Sequence, residues 1–160
     1  MVKKYINIVS VGIAFLVLYV LQDIFNWRWE WLYNLQLNES YKRWSGVFLM
    51  TFILFQWLLT LTRIIPRFKK ISFQLTSYHK KIGALSPLFF YVHAMEFGYG
   101  YLFMLSIIFF TNMLLGVVNL DIIKSHKNWV FQSWMILHVA LSVIITAIMF
   151  FHIGVVFYYE

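Results

Sequence analysis

The chain of 160 residues contains no cysteine. That excludes disulfides, thiolate nucleophiles, iron–sulfur clusters, cysteine-ligated zinc and covalently attached c-type haem. Charge is also scarce. Asp, Glu, Lys and Arg make up 12% of the residues, and only 6 are acidic, against about 25% charged in soluble domains. Proline occurs twice. No fixed-period repeat, low-complexity tract, Gly/Ser linker or Gly-rich phosphate loop is present, so no nucleotide site is read. Chemistry here must rest on histidine, carboxylates, hydroxyls or a bound cofactor.

Apolar and aromatic side chains fill the remainder. Hydrophobic residues are 62% of the chain and aromatics 21%, the composition of an integral membrane protein. The net charge of +7 therefore reads as positive loops beside anionic lipid, not as a nucleic-acid surface. A hydrocarbon core about 30 Å thick takes about 20 apolar residues per helix. Five runs satisfy this: 5–22, 46–65, 78–99, 101–120 and 129–158. The expected fold is all-α, a single domain over 1–160, built as a bundle of five transmembrane helices. Pro66 helps to end the second span and Pro87 should bend the third locally.

Lys and Arg set the orientation. With the N-terminus in the cytoplasm, the inside holds Lys3, Lys4, Arg63, Arg67, Lys69, Lys70, Lys80, Lys81, Lys124 and Lys127, ten of the 13 basic residues. Arg28, Lys42 and Arg43 stay outside, as do Asp23, Glu30, Glu39, Glu96 and Glu160, while Asp121 lies inside. The expectation is N-in, C-out, in a bacterial inner membrane. Residues 1–22 resemble a signal segment, but no small-x-small cleavage site follows, so an uncleaved anchor is expected. The loop 23–45 carries Trp27, Trp29, Trp31, Tyr33, Tyr41 and Trp44. It reads as an interfacial segment on the outer leaflet, with a docking surface for a redox partner as the alternative.

Ionisable residues within a span are costly and usually functional. Of the five histidines, His126 lies in a short loop with Lys124 and Lys127 and reads as solvated. The other four form two pairs. His79 and His93 are fourteen residues apart on the third span, and His138 and His152 are fourteen apart on the fifth. On a continuous helix fourteen steps come within about 40° of four full turns, so each pair shares a face, about 21 Å apart. Both spans run inside to outside. His79 and His138 are then the inner members, and His93 and His152 the outer ones. Two stacked imidazole pairs suit two six-coordinate haems b, one toward each leaflet. A zinc or di-metal centre would need three or four ligands close together. A proton relay and four separate structural histidines are the alternatives. Between the ligands, Gly83 leaves room for a flat macrocycle and Phe90 is placed to fill the space between two of them. Ser142, Ile145, Thr146 and Met149 continue the face between His138 and His152. Arg63, Arg67, Lys80 and Lys81 at the inner level, and Lys42, Arg43 and Trp44 at the outer, are candidates for propionates or simply positive-inside residues.

At these residues the chain resembles the ferric reductase-like transmembrane domain family. That family includes NADPH oxidases, ferric-chelate reductases and the haem-bearing membrane subunit of methionine sulfoxide reductase systems. The match runs through Tyr78-His79-Lys80-Lys81, Gly83 and His93. It extends to Arg63-Ile64-Ile65-Pro66-Arg67 before them and to Trp134 four residues before His138. The resemblance implies that His79 with His138 hold the inner haem and His93 with His152 the outer. Family reductases commonly show six spans, a second histidine pair spaced thirteen, and a cytoplasmic FAD/NAD(P)H domain. Here five spans are read and the second spacing is fourteen.

The expected function is a di-haem b-type membrane cytochrome, an oxidoreductase if it is an enzyme. It would carry electrons from a cytoplasmic flavoprotein or quinol to a periplasmic acceptor. A haem-bearing anchor or assembly subunit of a larger membrane complex is the alternative. A transporter or proton channel is a third reading, weakened by the lack of carboxylates inside the spans. Gln56, Asn112 and Glu96 are the polar residues available for a quinone.

Overall fold

The computed structural model describes residues 2–118 and 127–159. Among these the chain is all-helical, without strands. The helices are α1 (Val2–Ile24), α2 (Glu30–Leu37), α3 (Glu39–Ile64), α4 (Ser72–Ala84), α5 (Ser86–His93), α6 (Tyr101–Val117) and α7 (Asn128–Tyr159). A 3-10 turn, Pro66–Phe68, follows α3. The loop around His126, Lys124 and Asp121, and the end of the run 101–120, lie outside the described residues.

Local chemistry places most boundaries. Asn38 lies between α2 and α3 and caps α3, its side-chain oxygen accepting from the Tyr41 backbone N–H at 3.1 Å. Glu39 in the first turn and Arg63 in the last both complement the helix dipole. α3 stops at Ile64 because Ile65 precedes proline and is held extended, at φ −88° and ψ 111°.

The structure corrects the continuous helix expected over 78–99. α4 starts earlier, at Ser72, and ends at Ala84; Leu85 then leaves helical geometry, and α5 begins at Ser86 with Pro87 in its first turn. Proline lacks the N–H that an unbroken helix would need at that point, and its ring would strike the Gly83 carbonyl. α5 ends on His93, where Ala94 turns extended. Gly98 and Gly100 follow at φ +76° and +58°, backbone that glycine adopts without strain.

The chain forms two compact units, Met1–Glu96 and Phe97–Glu160. In the first, α1 packs on α4 and α5, and α3 packs on α2, α4 and α5. Its core includes Tyr19, Leu32, Leu49, Phe52, Ala84, Phe90 and Met95. At Gly12 a methyl group would lie 2.6 Å from the Ala84 carbonyl oxygen, so the missing side chain is what lets α1 approach α4.

The second unit is the hairpin of α6 and α7. Trp134 Nε1 donates to the Leu115 carbonyl at 2.8 Å, Asn112 Nδ2 donates to Ser142 Oγ at 2.9 Å, and Tyr101 meets Phe151 edge-on. Numbers falling along α6 while rising along α7 make the pair antiparallel.

α3 and α7 are each long and apolar enough to cross a membrane; Val9–Ile24 and Tyr101–Val117 are shorter apolar helices. Apolar side chains also cover the outer faces. On α7 only Ile145 and Met149 are buried, while Ile136, Val143, Phe150 and Phe151 are exposed.

Candidate functional site: four histidine sockets

In the first unit the break at Leu85 puts His79 on α4 and His93 on α5. The shared face expected from fourteen residues of continuous helix therefore does not apply to this pair. His79 keeps Gly83 one turn above it on α4. A methyl group at Gly83 would meet only Gln56 Oε1, at 3.9 Å. A methyl group would thus fit there at ordinary contact distance, beside an amide whose Oε1 and Nε2 are both buried with no hydrogen-bond partner. A buried unmet amide costs about 1–3 kcal/mol, so a group that could bond to it there would be favoured. Phe90 is buried edge-on to Tyr19 of α1, with ring centroids 5.6 Å apart.

His93 is held by the segment 36–46. Ser45 Oγ lies 3.0 Å from His93 Nδ1. A methyl group on Gly46 would sit 3.2 Å from His93 Cε1, so the imidazole edge packs against bare backbone of α3. The α5 terminus that ends on His93 would otherwise leave its last carbonyls unsatisfied. Gln36 Nε2 donates to the carbonyls of Tyr91 at 2.8 Å and Val92 at 3.1 Å, and Gln36 Oε1 accepts from Met95 N at 3.1 Å. Tyr41 Oη donates to the Val92 carbonyl at 3.0 Å. The aromatic-rich loop that reads as interfacial in the sequence thus also clamps a histidine. Trp44, next to Ser45, is 73% exposed.

In the second unit the predicted α7 face is the one that packs on α6. His138 lies against Gly116, where a methyl group would approach its Cε1 to 3.2 Å. Trp134 stacks on the same ring, with centroids 5.7 Å apart and 3° between planes. One turn further, Ser142 Oγ donates to the His138 carbonyl at 2.8 Å and accepts from Asn112. Ile145 and Met149 are buried, and at the far end Tyr101 Oη lies 3.2 Å from His152 Nδ1. Because α7 is unbroken from Asn128 to Tyr159, His138 and His152 are about 21 Å apart along it.

The two units repeat one device. In each, a histidine ring has its Cε1 edge against a glycine of another helix, and another histidine Nδ1 stands at a hydroxyl or the same ring does so. Composition and spacing locate the four histidines; Gln36, Ser45, Gly46, Tyr101 and Gly116 escape them. A Ser-Gly pair at the start of a span is their only local trace, since Ser45 and His93 are 48 residues apart. Among the described residues no three of His, Asp and Glu converge as a metal-binding group. Comparison with known proteins finds no matching family model, no similar curated protein and no similar solved structure.

Proposed function

We propose that this chain is a di-haem b-type membrane cytochrome that carries electrons across a bacterial inner membrane. In this reading α1, α3, α4 with α5, α6 and α7 are the five crossings, N-terminus inside, and the α4–α5 break is a broken crossing of the kind bilayers tolerate inside a bundle. His79 and His138 would hold the inner haem, and His93 and His152 the outer one. The observation that carries the proposal is the α7 face. Two imidazoles stand about 21 Å apart on one side of an unbroken apolar helix, each seated against α6 by Gly116 or Tyr101. Structural histidines need neither that depth spacing nor a neighbouring glycine.

Haem supplies the one-electron chemistry when bound. The chain's own residues hold and insulate. Gly83 gives room beside His79, and the unmet Gln56 amide offers a donor and an acceptor at its edge. Trp134 and Gly116 fix the plane of His138. The apolar exposed faces of α3 and α7 support a lipid surround, which would keep ions from the path. A cytoplasmic flavoprotein or quinol is the proposed donor and a periplasmic redox protein or small oxidant the proposed acceptor. The resemblance to ferric reductase-like domains supports the same assignment.

The test is a reduced-minus-oxidised visible spectrum of the purified chain, with a haem assay per protein. Two low-spin haems b per chain are expected, falling to one in His93→Ala or His152→Ala. A colourless preparation from cells supplied with haem would overturn the reading.

A further inference from the structure

Ser45 is buried, and its single hydroxyl hydrogen has two neighbours to serve. Oγ lies 3.1 Å from the Lys42 carbonyl and 3.0 Å from His93 Nδ1. A carbonyl cannot donate, so the Lys42 contact is a hydrogen bond only with the serine hydrogen on it, the arrangement we adopt. The 3.0 Å contact is then a hydrogen bond only if His93 Nδ1 carries the proton and donates to Oγ. That assignment makes Nε2 the lone-pair nitrogen of the ring. The Lys42 carbonyl and Ser45 share the first turns of α3, so the helix itself aims Oγ. The His93 end of α5 is fixed independently by Gln36 and Tyr41, which bind the Tyr91 and Val92 carbonyls. At His152 the contact is with Tyr101 Oη, 3.2 Å from Nδ1, and either atom can donate, depending on the tautomer.

We propose that Ser45 is a positioning residue that fixes His93 as the Nδ1–H tautomer, presents Nε2 to the outer iron and, through the Nδ1–H···Oγ bond, makes that imidazole a stronger electron donor. This rests on the haem reading above. Hydrogen bonding at the far nitrogen orients a ligating imidazole and raises its basicity. A more basic ligand stabilises the ferric state, so Ser45 holds the outer haem at a lower potential than the same ligand without it.

Two measurements separate this inference from the reading beneath it. The first uses haem-depleted wild-type chain in lipid nanodiscs, labelled with ¹⁵N-histidine, with the His93 signals identified by their absence in His93→Gln. The Nδ1–H tautomer is expected for His93 in the wild type and in Ser45→Thr, which keeps the hydroxyl, and a mixture of tautomers in Ser45→Ala. An Nε2–H form in the wild type, or no change in Ser45→Ala, overturns the proposal. The second is a potentiometric titration of the haem-loaded chain. One of two midpoints moves to a more positive potential in Ser45→Ala and returns toward wild type in Ser45→Thr, with haem content unchanged. Two haems with unmoved midpoints also overturn it. A chain that shows the Nδ1–H tautomer but binds no haem sinks the haem reading and removes Ser45's role toward iron with it, leaving the tautomer assignment alone standing.

Discussion

The indole of Trp134 lies parallel to the imidazole of His138, with 5.7 Å between ring centroids and 3° between planes. One turn of α7 separates them, and Trp134 Nε1 is fixed by its hydrogen bond to the Leu115 carbonyl at 2.8 Å. The stack therefore ties the orientation of a proposed ligand to the α6–α7 packing. Trp134→Phe keeps an aromatic face but leaves that carbonyl without its donor, an expected loss of about 1–3 kcal/mol. The measurement is thermal unfolding in detergent, with haem release followed at the Soret band. On the proposed function, haem release from His138 at a lower temperature than in wild type is the expected result, and Trp134→Ala should lower it further.

The glycines give opposite predictions. Gly116→Ala places a methyl 3.2 Å from His138 Cε1, tighter than ordinary contact. The ring must move, and overpacking of this kind costs about 1–3 kcal/mol. Gly83→Ala meets only Gln56 Oε1 at 3.9 Å, so the haem-free chain should unfold at the wild-type temperature. On the proposed function, Gly83→Ala should show itself in haem occupancy, with loss or weakening of the haem proposed for the inner side. Equal haem content in Gly83→Ala and wild type would remove Gly83 from the site.

Gln36 satisfies three backbone groups at the α5 terminus, the carbonyls of Tyr91 and Val92 and the N–H of Met95. It is buried, at 8% exposure, so water does not replace it. Gln36→Leu should destabilise the first unit by about 2–5 kcal/mol, from about 1–3 kcal/mol for each of the two groups left orphaned, the Tyr91 carbonyl and the Met95 N–H, since the Val92 carbonyl keeps Tyr41 Oη. Because α5 ends on His93, hydrogen exchange at residues 91–95 should rise first.

Arg28 and Glu96 form an ion pair at 2.9 Å, with both side chains more than two-fifths exposed. Exposed pairs are worth about 0–1 kcal/mol. Arg28→Ala should therefore change stability by less than about 1 kcal/mol, the difference shrinking as salt is raised. A larger effect, independent of salt, would assign the loss to Arg28's other contact, over the Tyr33 ring at 4.6 Å, and not to the ion pair.

Much of the helix layout follows from local rules. The apolar runs at 46–65, 101–120 and 129–158 fall on α3, α6 and α7 because apolar length and proline position act on neighbouring residues. α2 within the loop 23–45 is less legible: its eight residues hold only Leu32 and Gln36 to the core, too few for a period to show. The third span misled for a physical reason. Tyr78 to Tyr99 is mostly apolar beyond Lys81, but Pro87 removes a backbone donor, and a break at Leu85 lets α4 and α5 both pack against α1 and α3. Hydropathy sums along the chain, so it does not register a missing hydrogen bond.

By itself the sequence determined that the chain is apolar and helical and where its histidines fall along it. Cysteine chemistry is absent, charge is scarce, and His138 and His152 share a face because fourteen residues nearly close four helical turns. Tertiary structure alone decided what each imidazole touches. Ser45 reaches His93 across 48 residues of chain, Tyr101 reaches His152 across 51, and Gln36 reaches the end of α5 across more than 50. Periodicity reports which residues lie on one helix face. Which face of another helix comes to meet it depends on close approach at Gly12, Gly46 and Gly116, a matter of packing between segments that no local pattern carries.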